Sequence, residues 1–212
     1  QYIYDYFLEH FSSKIEMKMP LPMMNILNGG AHANNKLDFQ EFMIQPVGFS
    51  SFKEGLICGV EVFNYLKKTL NQKGFSTAVG DEGGFAPGID SAEEALDLIS
   101  SSIEAAGYKV DKDVTFALDC AATELLNENE YVFSNDERLS SGELIEYLSK
   151  LANSYPLTSI EDGLDENDWS GWENLTKKLG EKTQLVGDDL FVTNKEILQE
   201  GILSLIHISE PT

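Results

Sequence analysis

The chain has 212 residues, 42% of them hydrophobic, which is enough for one sizeable domain with a single core. Its 36 acids against 15 bases give a formal net charge of −21. That balance disfavours nucleic acid and anionic membrane surfaces as partners, since both are held through Lys and Arg.

Two cysteines, Cys58 and Cys120, make neither a disulfide framework nor a CxxC metal motif, which suits a reducing cytoplasm. No apolar run reaches the length of a membrane span. The opening residues do not read as a signal peptide, and Gln1 in place of an initiator Met reads as a chain cut at its start.

Residues 1–11 read as the last turns of a helix, and 12–22 as a polar, proline-ended linker. MMNIL (23–27), the turn NGG (28–30) and LDFQEFMIQPV (37–47) read as two antiparallel strands. Phe52, Leu56, Val60, Phe63, Leu66 and Leu70 recur at spacings of three and four and predict one buried face of a helix. Ser91 and Glu94 predict a capping box for a helix ending before Gly107, with Leu96, Ile99 and Ile103 inward.

A regular alternation follows. The strand VTFALD (114–119) precedes a helix capped by Ser140 and Glu143, with Leu144, Leu148 and Leu151 inward. LTSIED (157–162) precedes the amphipathic stretch 168–180, and TQLVGDD (183–189) precedes a helix capped by Thr193 and Glu196. Short apolar strands separated by helices predict βαβ units and a parallel sheet.

Three strand-like runs end in a carboxylate: Asp119, Glu161 and Asp188, 42 and 27 residues apart, about one βα unit each. In a parallel barrel the strand C-termini gather on one face, where active sites lie. Singly, each acid has an ordinary explanation as a helix N-cap or a solvated loop residue. Three in succession would repel one another unless a cation sits between them, and an all-oxygen set suits Mg²⁺ better than zinc.

A second group lies upstream. His32 falls in a turn rich in Gly and Asn, Gln40 and Glu41 fall inside a strand, and Asp81 and Glu82 lie between glycines that let the backbone approach a ligand. A strand carboxylate such as Glu41 is costly unless it is used or paired, for instance with a lysine.

NILNGGAHANN, LDFQEFMIQP, VGDEGGFAP, FALDCAATE, SIEDGLDENDW and LVGDDLFVTN together resemble, in order, the successive motifs of the enolase family. The resemblance covers roughly residues 1–201. It implies a partial α/β, TIM-like barrel: residues 1–19 as the end of an N-terminal α+β domain and its linker, and 20–201 as the first part of the barrel. It also implies a Mg²⁺-dependent lyase of glycolysis and gluconeogenesis, the phosphopyruvate hydratase that interconverts 2-phosphoglycerate and phosphoenolpyruvate.

Carried over residue by residue, Asp119, Glu161 and Asp188 match the metal ligands. Glu82 matches the acid that releases the 3-hydroxyl as water, supported by Glu41. His32, Gln40, Glu41, Glu161 and Asp188 match substrate contacts. The resemblance further implies a cytoplasmic homodimer or higher homo-oligomer, with surface or secreted forms and plasminogen binding known of the family.

The chain also departs from the family. Its base lysine belongs to a strand beyond residue 201, and Lys195 is no substitute. The polypeptide made alone is therefore expected to lack hydratase activity. Residues 202–212 (ILSLIHISEPT) read as a short apolar strand with a polar end, atypical of the family and resembling translated adapter sequence. Two other readings stand beside this one: another enolase-superfamily reaction α to a carboxylate, such as a racemase, and a non-catalytic binding or scaffold protein.

Overall fold

The computed structural model describes residues 2–11 and 18–204. The linker residues 12–17 and the atypical tail from 205 onward lie outside the described residues.

The first helix, α1 (Ile3–Phe11), forms within the expected residues 1–11 and leaves Ile3 and Phe7 exposed. Next come β1 (Met24–Asn28), a single 3₁₀ turn at Gly30–His32, and β2 (Glu41–Gln45). Gln40 thus stands just outside the strand expected to hold it. It is nonetheless tied into the ladder: its amide donates to Asp119 O (3.1 Å) and its carbonyl accepts from Gly29 N (2.9 Å).

Helix α2 (Phe52–Gln72) begins at Ser51, whose hydroxyl accepts from Glu54 N. Its buried face matches the predicted stripe at Leu66 and Leu70 but departs from it in the first turns. It runs through Gly55, Cys58, Gly59, Val62, Leu66 and Leu70, while Leu56 and Val60 are exposed. The glycines explain the rotation. A Cβ on Gly59 would lie 2.0 Å from Met24 Cε, so the helix seats against β1 where side chains are absent. A periodicity built from apolar side chains cannot register that contact.

Helix α3 (Ala92–Ala105) buries Leu96, Ile99 and Ile103 as expected and packs on α2. Its capping box is half formed: Ser91 Oγ accepts from Glu94 N, but the Glu94 carboxylate reaches the amide of Asp90.

Strand β3 (Thr115–Asp119) is buried at every position. Between it and α4 lies a small antiparallel sheet that no sequence pattern signals, of β4 (Leu126–Asn127), β5 (Glu130–Val132) and β6 (Arg138–Leu139). The buried Tyr131 fastens it, its hydroxyl accepting from Asp165 N (2.9 Å).

Helix α4 (Ser141–Ser154) carries a complete capping box between Ser140 and Glu143 and buries Leu144, Leu148 and Leu151. Strand β7 (Leu157–Glu161) leads to α5 (Trp169–Leu179), capped by Asp168, and then to β8 (Gln184–Val186). Helix α6 (Asp188–Phe191) follows at once. Helix α7 (Lys195–Leu203) is capped by Asn194, not Thr193, because Thr193 takes a left-handed φ of 56°. Ile202 and Leu203, expected to open a strand, complete the last turn of α7.

The main sheet has the order β1-β2-β3-β7-β8. β2 runs antiparallel to both neighbours, while β3, β7 and β8 are mutually parallel. The parallel sheet expected from the βα alternation therefore holds from β3 onward, behind an antiparallel start. The helices cover an open five-stranded arc, part of a barrel wall.

Candidate metal and acid–base centre

Strand register lines up the chemistry. Asn28 of β1 pairs with Glu41 of β2, Glu41 with Asp119 of β3, Asp119 with Glu161 of β7, and Glu161 with Val186 of β8. Four successive cross-strand pairings thus form a single row at one end of the sheet. Directly paired positions bring Cβ atoms to about 5 Å, so Glu41, Asp119 and Glu161 are forced together by backbone geometry alone.

Asp119 is 6% exposed. Gln40 Nε2 donates to its Oδ2 (2.8 Å) and Ala121 N to its Oδ1 (3.0 Å). Burial pushes the Asp119 carboxyl up to about 6. The two hydrogen bonds pull it down, and the charges of Asp189 and Glu82 push it further up.

Asp119, Glu161 and Asp162 each offer an oxygen within 4.8 Å of the others. The expected third member, Asp188, is not in that group. Strand β8 ends at Val186, and Asp188 is the exposed first residue of α6 rather than a strand end.

Asp162, which the sequence reading left out, is 4% exposed, and its left-handed φ of 42° turns the chain sharply after β7. Its Oδ2 accepts from Asp189 N (2.9 Å), and its Oδ1 is buried with no hydrogen-bond partner. Burial pushes its carboxyl up to about 7. The amide hydrogen bonds oppose this, and the neighbouring Asp189 and Asp119 charges add to it.

From the second group, His32, Glu41 and Glu82 offer ligand atoms within 4.8 Å of one another. The loop bearing Glu82 is stitched onto β1 by Asn28 N to Phe85 O (2.9 Å) and Phe85 N to Ile26 O (3.0 Å), and is closed on itself by Gly80 N to Gly84 O (2.8 Å). His32 Nδ1 stands 3.4 Å from Glu82 Oε1, and Asn25 Nδ2 donates to Glu82 Oε2 (3.4 Å).

The partner of Glu41 is another acid. Burial, then its hydrogen bond to Glu82, then the charges of Glu82, Asp119 and Glu161 push Glu41 up to about 9. The pair therefore holds a proton at neutral pH. Cys120, next to Asp119, is buried and its thiol is pushed up by that burial, so it offers no reactive thiolate.

The donor set fits a hard divalent cation. It is all oxygen, it clusters carboxylates whose charges disfavour one another, and it includes a buried carboxylate oxygen with no protein partner.

Residues 16–207 match the family described as enolase, C-terminal TIM barrel domain. Curated relatives named enolase from Legionella pneumophila are 59% identical (strain Corby) and 60% identical (strain Lens) over 187 residues, 88% of this chain. The chain spans 44% of the length of those relatives. Among the described residues no helix is long and apolar enough to cross a membrane. With the family match covering most of its length and the acidic row standing on the barrel strands, the chain belongs to the enolase family.

Proposed function

We propose that the chain carries the metal side and the leaving-group side of a phosphopyruvate hydratase, a carbon–oxygen lyase that reversibly dehydrates 2-phosphoglycerate to phosphoenolpyruvate. The observation that carries this reading is the juxtaposition of two opposite chemistries on one strand row. A proton-holding pair, Glu41 and Glu82, sits beside an oxygen cluster at Asp119 and Glu161.

Loss of a β-hydroxyl needs an acid, because hydroxide leaves poorly. Glu82, with 40% of its side chain exposed, faces outward to meet substrate, and Glu41 lies behind it. Glu41 keeps a proton within the pair, and the proton passes through Glu82 to the departing 3-hydroxyl, which leaves as water. His32, beside Glu82, orients that hydroxyl. Gln40 supports the reaction through Asp119, whose carboxylate it hydrogen-bonds.

When bound, Mg²⁺ supplies positive charge to the substrate carboxylate, on which charge accumulates once the α-proton is removed. Asp119, Glu161 and Asp188 are the residues proposed to hold it. The abstracting base is assigned to no residue of this chain. Cytoplasmic location and a homo-oligomeric whole protein belong to the same proposal.

In an intact enolase carrying these residues, Glu82→Gln should lower turnover by at least ~100-fold while leaving Mg²⁺ affinity near normal. Unchanged turnover, followed as phosphoenolpyruvate formation, removes Glu82 from the role. The 212-residue chain assayed alone should form no phosphoenolpyruvate. Formation at an enolase-like rate would mean that the base lies within it.

A further inference from the structure

We infer that Asp162 is a further carboxylate of the cation site, holding its Oδ1 ready as an acceptor within the ion's coordination sphere while its Oδ2 fixes the start of α6. This inference rests on the cation reading of the Asp119–Glu161 row.

Asp162 is nearly fully buried, yet only one of its two oxygens is satisfied within the protein. A residue that served only as a cap for α6 would need one acceptor oxygen, and Ser or Asn would provide it. The second oxygen, charged when ionised and screened from solvent, is costly unless something with positive character meets it. Asp162 also offers an oxygen within 4.8 Å of one each from Asp119 and Glu161. Since Oδ2 is occupied by the Asp189 amide, Oδ1 is the atom with capacity to spare.

The backbone around it is fixed from both sides. Asp162 N donates to Val186 O (2.9 Å), and its carbonyl accepts from Ala122 N (3.0 Å). These bonds clamp the left-handed turn between β8 and the segment after β3. The turn that carries the carboxylate is thus fixed, and the Asp189 amide on Oδ2 holds the side chain itself. Asp162 is bonded covalently to Glu161 and by hydrogen bond to the residue after Asp188, so it spaces these two acids relative to each other.

The test is Mg²⁺ and Mn²⁺ titration of the purified 212-residue chain by calorimetry and by Mn²⁺ electron paramagnetic resonance, in the parent sequence and in Asp162→Asn, Asp162→Ala and Asp119→Asn. In Asp162→Asn the amide oxygen still accepts from Asp189 N–H, but an NH₂ donor replaces Oδ1. Metal affinity should fall by about tenfold or more. Thermal unfolding without metal should stay the same or rise, because one member of a repelling cluster becomes a donor. Asp162→Ala should lose affinity and lose thermal stability as well, since α6 is no longer held.

If Asp162→Asn binds within about twofold of the parent sequence while Asp119→Asn loses binding, Asp162 is only a structural cap and this inference falls alone. If the parent chain binds no more tightly than Asp119→Asn, the cation reading falls and takes the inference with it.

Discussion

Gly80 is held in place by lack of room. A Cβ there would lie 2.6 Å from His32 O and 2.8 Å from Asn28 Cβ, and the nearer atom is backbone, which cannot turn aside. Gly80→Ala should therefore destabilise the chain by about 1–3 kcal/mol and lift the loop that carries Glu82 away from Glu41. Urea unfolding measures the first effect. The second should appear as a fall in the Glu41 carboxyl from about 9 toward its ordinary value, followed by carbon-detected NMR titration. An unshifted Glu41 would mean that the loop does not position its partner.

At this same scale the sequence was readable in one direction only. Acids that end apolar runs stand out, as Asp119 and Glu161 do, and so do an acid inside a strand, Glu41, and one between glycines, Glu82. Asp162 did not, because alternation along a strand sends consecutive side chains to opposite faces, and only the left-handed turn brings it back beside Glu161. Asp188 shows the complement: its spacing suggested a strand end, but β8 stops two residues earlier, at Val186.

Among the elements, the buried face is legible where side chains set it and less so where a helix is seated on glycine. Ser140 with Glu143 and the leucine stripe of α4 set that helix's start and its buried face. The face of α2 turns on Gly55 and Gly59, which carry no hydropathy signal. The three short strands β4, β5 and β6, two or three residues each, fall below the length at which alternation can be counted.

Asp168 joins two of the well-capped elements. Its Oδ1 accepts from Gly171 N (2.9 Å) at the start of α5, and its Oδ2 accepts from the hydroxyl of Ser141 in the first turn of α4. Asp168→Ala removes both the cap and the link between helices. It should cost about 2 kcal/mol in urea unfolding, near the upper end for a lost N-cap. Asp168→Asn, which keeps an acceptor for Gly171 N, should recover most of that loss. A cost no larger than that of an exposed surface substitution would show that α4 and α5 are held by apolar packing alone.

For the molecule as a whole, the acids at the strand ends set how stability depends on pH. Glu41, Asp162 and Asp119 are pushed up to about 9, 7 and 6, all above their ordinary values. The folded chain therefore keeps protons that the unfolded chain has released, and stability must fall as pH rises through that window. Glu54 and Glu143 are shifted the other way by their serine hydrogen bonds, so their contribution is lost only as pH falls below the ordinary carboxylate range. With chelator present, the chain should thus be more stable at about pH 5.5 than at about pH 8.5. The net charge of −21 acts in the same direction, because releasing further protons adds to self-repulsion. A divalent cation at the strand row replaces the retained protons with positive charge that stays as pH rises. Saturating Mg²⁺ should therefore flatten or invert the slope, stabilising the chain most at the alkaline end. Urea unfolding across this range, with and without Mg²⁺, reads both effects. Metal-free stability that rose with pH would show that the strand-row carboxyls are ionised without cost. An equal Mg²⁺ increment at every pH would show that the ion binds away from them.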